Sequence, residues 1–393
     1  MTAINKGDVP VWKQLLHLSS TAPVIFWTLI ILLLAEFFVV FAAPLIVPDH
    51  VYLYFYLDER ARASTREFLQ NRHAFLLRDE ITGWRNRPNA EIGKWQLDPH
   101  GARTTHVITI QPTKPRRILF LGSSLINGGA NISVNETISA FLEDSVTEAI
   151  NFGTMMYSLD QSYLAYEHEL YKYQADIIVV GLSVNATDNL FNQYIPFRSR
   201  TEVNMPFLKP RFEMRAGKLE LIPLPPKKMH EDVFYNSDLI NYLKQTDNFY
   251  REFAAYKRVG FLPFSSGVWW VYKRAGNLLR LIKGNRGEAP FLLNLMTGMA
   301  KTAQSHGATV IFLMLADRQT TEPTGWRSLL PDHYRALVAE LQAKDFDILD
   351  SREALRVCSL PVRSLYQSDS HHFSPAGNRI IAEALRETLD RLR

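Results

Sequence analysis

The chain has 393 residues, 47% hydrophobic and 21% charged, a balance that suits a folded protein with a sizeable core and excludes long disorder. A formal net charge of +4 gives no case for nucleic-acid binding, which needs a concentrated basic face. One cysteine, Cys358, excludes an intramolecular disulfide and a multi-cysteine metal site, and it reads as a small buried residue.

Residues 1–21 are a short N-terminal tail. Residues 22–47 are almost wholly apolar. A bilayer core needs about 20 apolar residues, a signal-peptide core only roughly 7–15, and no polar stripe marks this stretch as a buried soluble helix. The expectation is a single membrane anchor. Lys6 and Lys13 precede it while Arg60, Arg62 and Arg66 follow, so flanking charge does not decide orientation. Glu36 lies inside the apolar run, where an ionisable group usually faces protein. Contact with a partner helix and a snorkelling side chain near one leaflet are both open readings.

Residues 48–115 form a polar lead-in. From Arg116 the texture changes to short apolar runs, predicted as strands over 117–122, 148–153, 176–181 and 308–315. Helices are predicted over 135–147, 160–173, 289–305, 331–344 and 375–391. This alternation implies an α/β domain over 116–393, a doubly wound parallel sheet flanked by helices, with ligands at the carboxyl ends of its strands. Residues 191–288 break the alternation and read as an insertion or cap. Within it, 257–286 holds seven basic residues and no acidic one, interleaved with Trp269, Trp270 and Tyr272. Three uses are open: a cap helix with core aromatics, an anionic lipid surface, or an anionic glycan groove.

Two motifs carry chemistry. In Phe120-Leu121-Gly122-Ser123-Ser124, a predicted strand delivers a serine to the sheet's carboxyl edge before a Gly-rich turn. A phosphate-binding loop would end in Gly-Lys-Ser/Thr, whereas this one runs Asn127-Gly128-Gly129. In Asp369-Ser370-His371-His372, a carboxylate three residues before a histidine can hold its tautomer. A metal reading of Asp369 with His371 is weaker, because no further ligand pair at helical spacing accompanies them.

Taken together these motifs resemble the SGNH/GDSL hydrolase family, whose four blocks appear in order. They are Gly122-Ser123-Ser124 followed by Gly128, Asn151-Phe152-Gly153, Gly181-Leu182-Ser183-Val184-Asn185, and Asp369-Ser370-His371-His372 leading into Phe373-Ser374-Pro375. The resemblance covers roughly 116–189 and 307–391, and residues 83–103 look like the lead-in of membrane-tethered members associated with cell-surface glycans. It implies a catalytic triad of Ser124, His372 and Asp369. The oxyanion would be held by the N–H groups of Ser124 and Gly153 and by the Asn185 side chain. No cofactor or metal is implied. Where the family usually carries Asp, this chain has Ser123 and Ala186.

The resulting expectation is an anchored, extracytoplasmic serine esterase or O-acyltransferase. Its substrate would be acyl, foremost acetyl, esters on a cell-envelope or exported polysaccharide. The alternative is an inactive SGNH-like domain serving as a structural or glycan-binding subunit of a membrane assembly, for which Ser123, Ala186 and Glu36 speak.

Overall fold

The computed structural model describes residues 11–198, 205, 207–259, 267, 270–276, 278, 279, 289–369 and 371–391, with the side chains of 11–21, 39, 184–186 and 259 left aside. The apolar run lies in one helix, α1 (Val11–Ile46), and its stretch Ala22–Ile46 has mean hydropathy 2.8 with none of its described side chains fully buried. It is the helix among the described residues that is long and apolar enough to cross a bilayer. Pro48 ends it and opens α2 (Asp49–Tyr56), followed by α3 (Glu59–Leu69), which Asp58 caps by accepting the Ala61 N–H.

The lead-in is thus folded. Beyond α3 it makes two antiparallel hairpins, β1 (Leu76–Asp79) with β2 (Gly83–Asn86) and β3 (Glu91–Ile92) with β4 (Trp95–Gln96). Trp84 is fully buried and donates Nε1–H to the Met155 carbonyl at 2.9 Å, which ties the second strand to the main domain.

The main sheet has five parallel strands: β5 (Arg116–Leu121), β6 (Thr147–Asn151), β7 (Ile177–Ser183), β10 (Thr309–Leu315) and β11 (Asp347–Asp350), in the order β11-β10-β7-β5-β6. Between β7 and β10 the hairpin β8 (Arg211–Arg215) and β9 (Lys218–Ile222) stands apart. The helices that follow are α4 (Ser124–Asn127), α5 (Ile138–Leu142), α6 (Leu159–His168), α7 (Asp238–Thr246), α8 (Tyr250–Val259), α9 (Ala289–Ser305), α10 (His333–Gln342), α11 (Ser351–Val357) and α12 (Pro375–Arg391), of which α7 and α8 pack away from the sheet.

Period-two alternation explains why the strands read as continuous apolar runs. Leu119, Leu121, Ile178, Val180, Phe312 and Met314 face one core with α6, α9 and α10. Ile118, Phe120, Val179, Ile311 and Leu313 face the other with α5, α11 and α12. Burying each such side chain contributes about 1.5–3 kcal/mol, so both faces are needed to hold the strands. Arg117, polar within a strand, is buried and paired with Glu148 on β6 through Nε (2.9 Å) and Nη2 (3.0 Å).

Three departures from expectation have local causes. The helix expected over 135–147 is interrupted: Thr137 caps a new start, and Asp144 Oδ1 accepts the N–H groups of Val146 and Thr147 in a turn that ends the run and starts β6. The fifth strand, β11, is short and only partly buried, and so lacks an apolar signature. Cys358 is half-buried, with Sγ 3.3 Å from the Leu355 carbonyl.

The described part of 191–288 packs on the lead-in. Tyr52, Leu53 and Tyr56 of α2 share a core with Phe197, Leu239, Leu243 and Phe253. Tyr56 donates its hydroxyl to the Pro196 carbonyl at 3.0 Å, and Lys257 is ion-paired with Asp49 at the exit of α1.

Candidate active site

Ser124 is the first residue of α4, placed at the sheet's carboxyl edge directly after β5. From β5 the chain goes to β6 on one side and returns to β7 on the other, so this edge is where the strand order reverses. Such a crevice is the ligand position in open α/β sheets. Ser123 caps α4 by accepting the Leu125 N–H at 3.3 Å with its hydroxyl.

The histidine arrives on a loop that closes on itself. Tyr366 bridges to Phe373, and the Gln367 N–H donates to the His372 carbonyl at 2.8 Å. Gln367 Nε2 donates to the Phe373 carbonyl at 2.8 Å and, across the crevice, to the Gly128 carbonyl at 3.1 Å. That amide fastens the histidine loop to the serine loop.

His372 Nε2 lies 2.9 Å from Ser124 Oγ, and its Nδ1 lies 2.5 Å from Asp369 Oδ2. Asp369 Oδ1 accepts the backbone N–H groups of His371 and His372 at 2.9 and 3.0 Å. Burial alone would raise the Asp369 carboxyl. The hydrogen bond from His372 and those two N–H groups outweigh it and hold the acid well below the usual carboxylate range. An ionised Asp369 assigns the proton to Nδ1 and leaves Nε2 as acceptor for the serine hydroxyl. Water reaches the dyad, since the His372 and Asp369 side chains are 23% and 37% exposed.

His371 turns away from this line. Its Nδ1 is 3.7 Å from Asp317 Oδ2, and the neighbouring carboxylate raises its pKa above the ordinary imidazole value. Among the described residues, no three His, Cys, Asp or Glu side chains converge as metal ligands.

The expected oxyanion donors divide. Ser124 N–H sits in the first turn of α4, where a helix leaves its donors without intrahelical partners. Gly153 requires a correction, because its N–H is spent within its own turn, donating to Asn151 Oδ1 at 2.9 Å. It is glycine for packing, since a Cβ there would lie 2.6 Å from the Asn127 backbone nitrogen and 3.0 Å from Ile126. Its absent side chain lets β6 press against the serine helix. The Asn185 and Ala186 side chains lie outside the described residues.

A buried polar frame holds the serine loop, and motif reading missed it. Arg103, fully buried, donates to the carbonyls of Asn127 (2.7 Å), Gly129 (2.6 Å) and Ile132 (2.5 Å) and to Asn127 Oδ1 (3.2 Å). Burial pulls its guanidinium down to about 10, which still leaves it cationic at neutral pH. The Gly153 carbonyl accepts from Asn86 (3.1 Å) and Asn127 (2.9 Å), and Asn151 donates to the Ile126 carbonyl (2.8 Å). Asn127 and Asn151 stand inside the quoted blocks, and Asn86 and Arg103 inside the 83–103 lead-in. Their shared target, the main chain around Ser124, appears only in three dimensions. A small open pocket beside Ser123 is lined by Leu159, Leu182, Leu190, Leu292 and Met314 together with Ser158, Ser183 and Thr187.

No family model matches the sequence, and no curated protein matches it. Among solved structures the chain is similar to Axe2, an acetylxylan esterase from Geobacillus stearothermophilus, with 10% identity over 70% of this chain and 94% of that one and a TM-score of 0.36. It is similar also to the lipase Lip_vut3 from a goat rumen metagenome, with 11% identity over 70% and 97% and a TM-score of 0.37. A third is a protein of Desulfitobacterium hafniense DCB-2 described as lipolytic and of the G-D-S-L family, with 9% identity over 69% and 98% and a TM-score of 0.34. Strand order and connections define the fold, and the side chains gathered at the sheet's edge define its chemistry.

Proposed function

We propose that the chain is a membrane-anchored, extracytoplasmic serine esterase or O-acyltransferase acting on acyl, foremost acetyl, esters of a cell-envelope or exported polysaccharide. One observation carries this reading: the unbroken line Asp369–His372–Ser124, with 2.5 and 2.9 Å links, at the edge where the strand order reverses. The non-catalytic alternative expects either a Ser124–His372 distance too long for a hydrogen bond or a blocked cleft, and the 2.9 Å link speaks against the first.

Ser124 Oγ attacks the acyl carbon as its proton passes to His372 Nε2, and Asp369 stabilises the imidazolium. The alkoxide oxygen of the leaving sugar takes that proton as its bond to the acyl carbon breaks, leaving an acyl ester on Ser124. Water or a second sugar hydroxyl then gives its proton to Nε2, attacks the acyl carbon, and returns Ser124 Oγ as a hydroxyl. The Ser124 N–H and the Asn185 side chain are the donors proposed for the oxyanion. The small pocket beside Ser123, with Leu159, Leu182, Leu190, Leu292 and Met314 in its wall, supports a short acyl group.

Anchoring through 22–47 is supported by the length and hydropathy of Ala22–Ile46. The extracytoplasmic placement, the glycan substrate and a partner helix meeting Glu36 follow from the family resemblance and from the cost of a carboxyl group in a membrane.

The test is acetyl-ester hydrolysis by the full chain in detergent, wild type beside Ser124→Ala, with a serine-directed fluorophosphonate as a second readout. Turnover and labelling that vanish together in the variant support the enzyme. Absence of both in the folded wild type would sink it and favour the binding role.

A further inference from the structure

The basic, aromatic stretch 257–286 was left with three uses by its sequence, and the described part narrows them. Residues 270–276, 278 and 279 are helical. Trp270, Val271, Tyr272, Leu278 and Leu279 are 55%, 59%, 69%, 45% and 53% exposed, so they are not core aromatics and aliphatics of a cap. Trp269 lies outside the described residues.

One side of this segment is tethered. Lys273 Nζ lies 3.2 Å from Glu252 Oε2 on α8. Helix α8 packs against α1, and its Lys257 is ion-paired with Asp49, three residues past the end of that helix. At 100° per residue, Val271, Ala275 and Leu278 fall on the side opposite Lys273, with Tyr272 and Leu279 flanking them. The exposed apolar face therefore points away from α8. Arg274 stacks its guanidinium 4.5 Å from the centre of the Trp270 ring.

We propose that this face lies on an anionic bilayer surface beside α1, as a second attachment of the domain to the membrane. Trp and Tyr with Lys and Arg around an apolar face is the composition of an interfacial helix. Beyond Lys257 and Lys273, which pair with Asp49 and Glu252, the stretch 257–286 carries five basic residues and no acidic one, a charge that matches anionic headgroups better than a neutral protein surface. The continuity through α8 to the anchor places the face next to the lipid that α1 would cross. This inference rests on the anchor reading.

The experiment uses the full chain with Cys358→Ser, which removes the sole cysteine, and single spin labels at Leu278→Cys, Leu33→Cys and Val357→Cys. Protein is reconstituted into phosphatidylcholine vesicles with and without phosphatidylglycerol, and collision with oxygen is compared with collision with a water-soluble nickel chelate. The expected result is a Leu278 label reached by oxygen and shielded from nickel, as at Leu33, with shielding that weakens in high salt or without the anionic lipid. The Val357 label, on a residue 86% exposed, reports water. An aqueous Leu278 label beside a lipid-embedded Leu33 label overturns the docking and leaves the anchor standing. If both are aqueous, the anchor reading fails and takes the docking with it. A Leu278 label shielded from both reagents in vesicles and detergent alike overturns lipid docking in favour of a protein contact, such as a second copy.

Discussion

Replacing Arg103 with methionine asks whether the buried frame positions Ser124. Methionine fills much of the stem's volume, so the loss is chiefly of hydrogen bonds. The carbonyls of Asn127, Gly129 and Ile132 lose a charged donor at 2.5–2.7 Å. A buried polar group left unpaired costs about 1–3 kcal/mol. Relief from desolvating the guanidinium, whose Nε has no partner, offsets part of that sum. The net loss should be about 3–5 kcal/mol, a large share of the roughly 5–15 kcal/mol that holds a domain folded. The assay pairs urea unfolding with the rate at which a fluorophosphonate labels Ser124 in the folded fraction. Labelling should slow by about 10- to 100-fold, because a displacement near 1 Å at a nucleophile has that effect. Arg117→Met supplies the comparison: it breaks the buried pair with Glu148 at the far end of β5 and should destabilise similarly while labelling normally. Equal labelling rates for the two variants would refute the positioning role, and an unchanged unfolding midpoint in Arg103→Met would refute the energetic argument.

Gly129→Ala should slow fluorophosphonate labelling at least about tenfold, since φ is +71° there and the new methyl would sit 3.2 Å from His372 Cδ2. Gly217→Ala, at φ +78° in the open β8–β9 turn, should lose only stability. Asp369→Asn should lower kcat by about 10²–10⁴, read against an unchanged unfolding midpoint. Because the folded-state pKa of Asp369 is depressed, its contribution is present above the unfolded carboxylate value of about 3.9 and is lost only as pH falls through a lower one. Activity lost between pH 6 and about pH 4 should therefore leave Asp369 ionised, which a carboxylate infrared band would report. His371 has the opposite sign: its raised pKa favours folding fully below the unfolded imidazole value, and that favour fades as pH rises through the folded one. Asp317→Asn should lower the His371 titration midpoint in an NMR series while leaving esterase activity in place.

The sheet was legible because β5, β7 and β10 are covered on both faces, which turns burial into uninterrupted apolar runs. Helices α9 and α12 coincide with their predicted spans for a related reason, each burying one long amphipathic face. Strand β11 was not legible, since its residues are mostly half-exposed and carry Asp at both ends. The lead-in's helices were hidden for different reasons: α2 is short and aromatic on all sides directly after the apolar run, and α3 carries few apolar residues, while Tyr52, Leu53, Tyr56 and Ala61 find cover against 191–256. In the site, Ser124, His372 and Asp369 could be read because Ser124 sits in one short motif and Asp369 with His372 in another. Gly153 was misjudged because the resemblance carries over a glycine without the use its N–H is put to here. Close approach to Asn127 and a free N–H leave the same letter in the sequence.

That misreading leads to how the site is built. Five side chains (Asn86, Arg103, Asn127, Asn151 and Gln367) direct donors at main-chain carbonyls of the serine turn, the Gly153 turn and the histidine loop. A main-chain carbonyl is present whatever residue carries it, so a frame of this kind fixes the backbone without fixing its side chains. It follows that Ser123 needs only a cap to offer, which its hydroxyl supplies, and the loss of the usual carboxylate there does not by itself dismantle the site. The frame is also unforgiving of charge. Asn151 uses both ends of its amide, donating to the Ile126 carbonyl and accepting the Gly153 N–H. An aspartate in its place would set a buried carboxylate against that carbonyl, and the serine helix would lose its seat on β6.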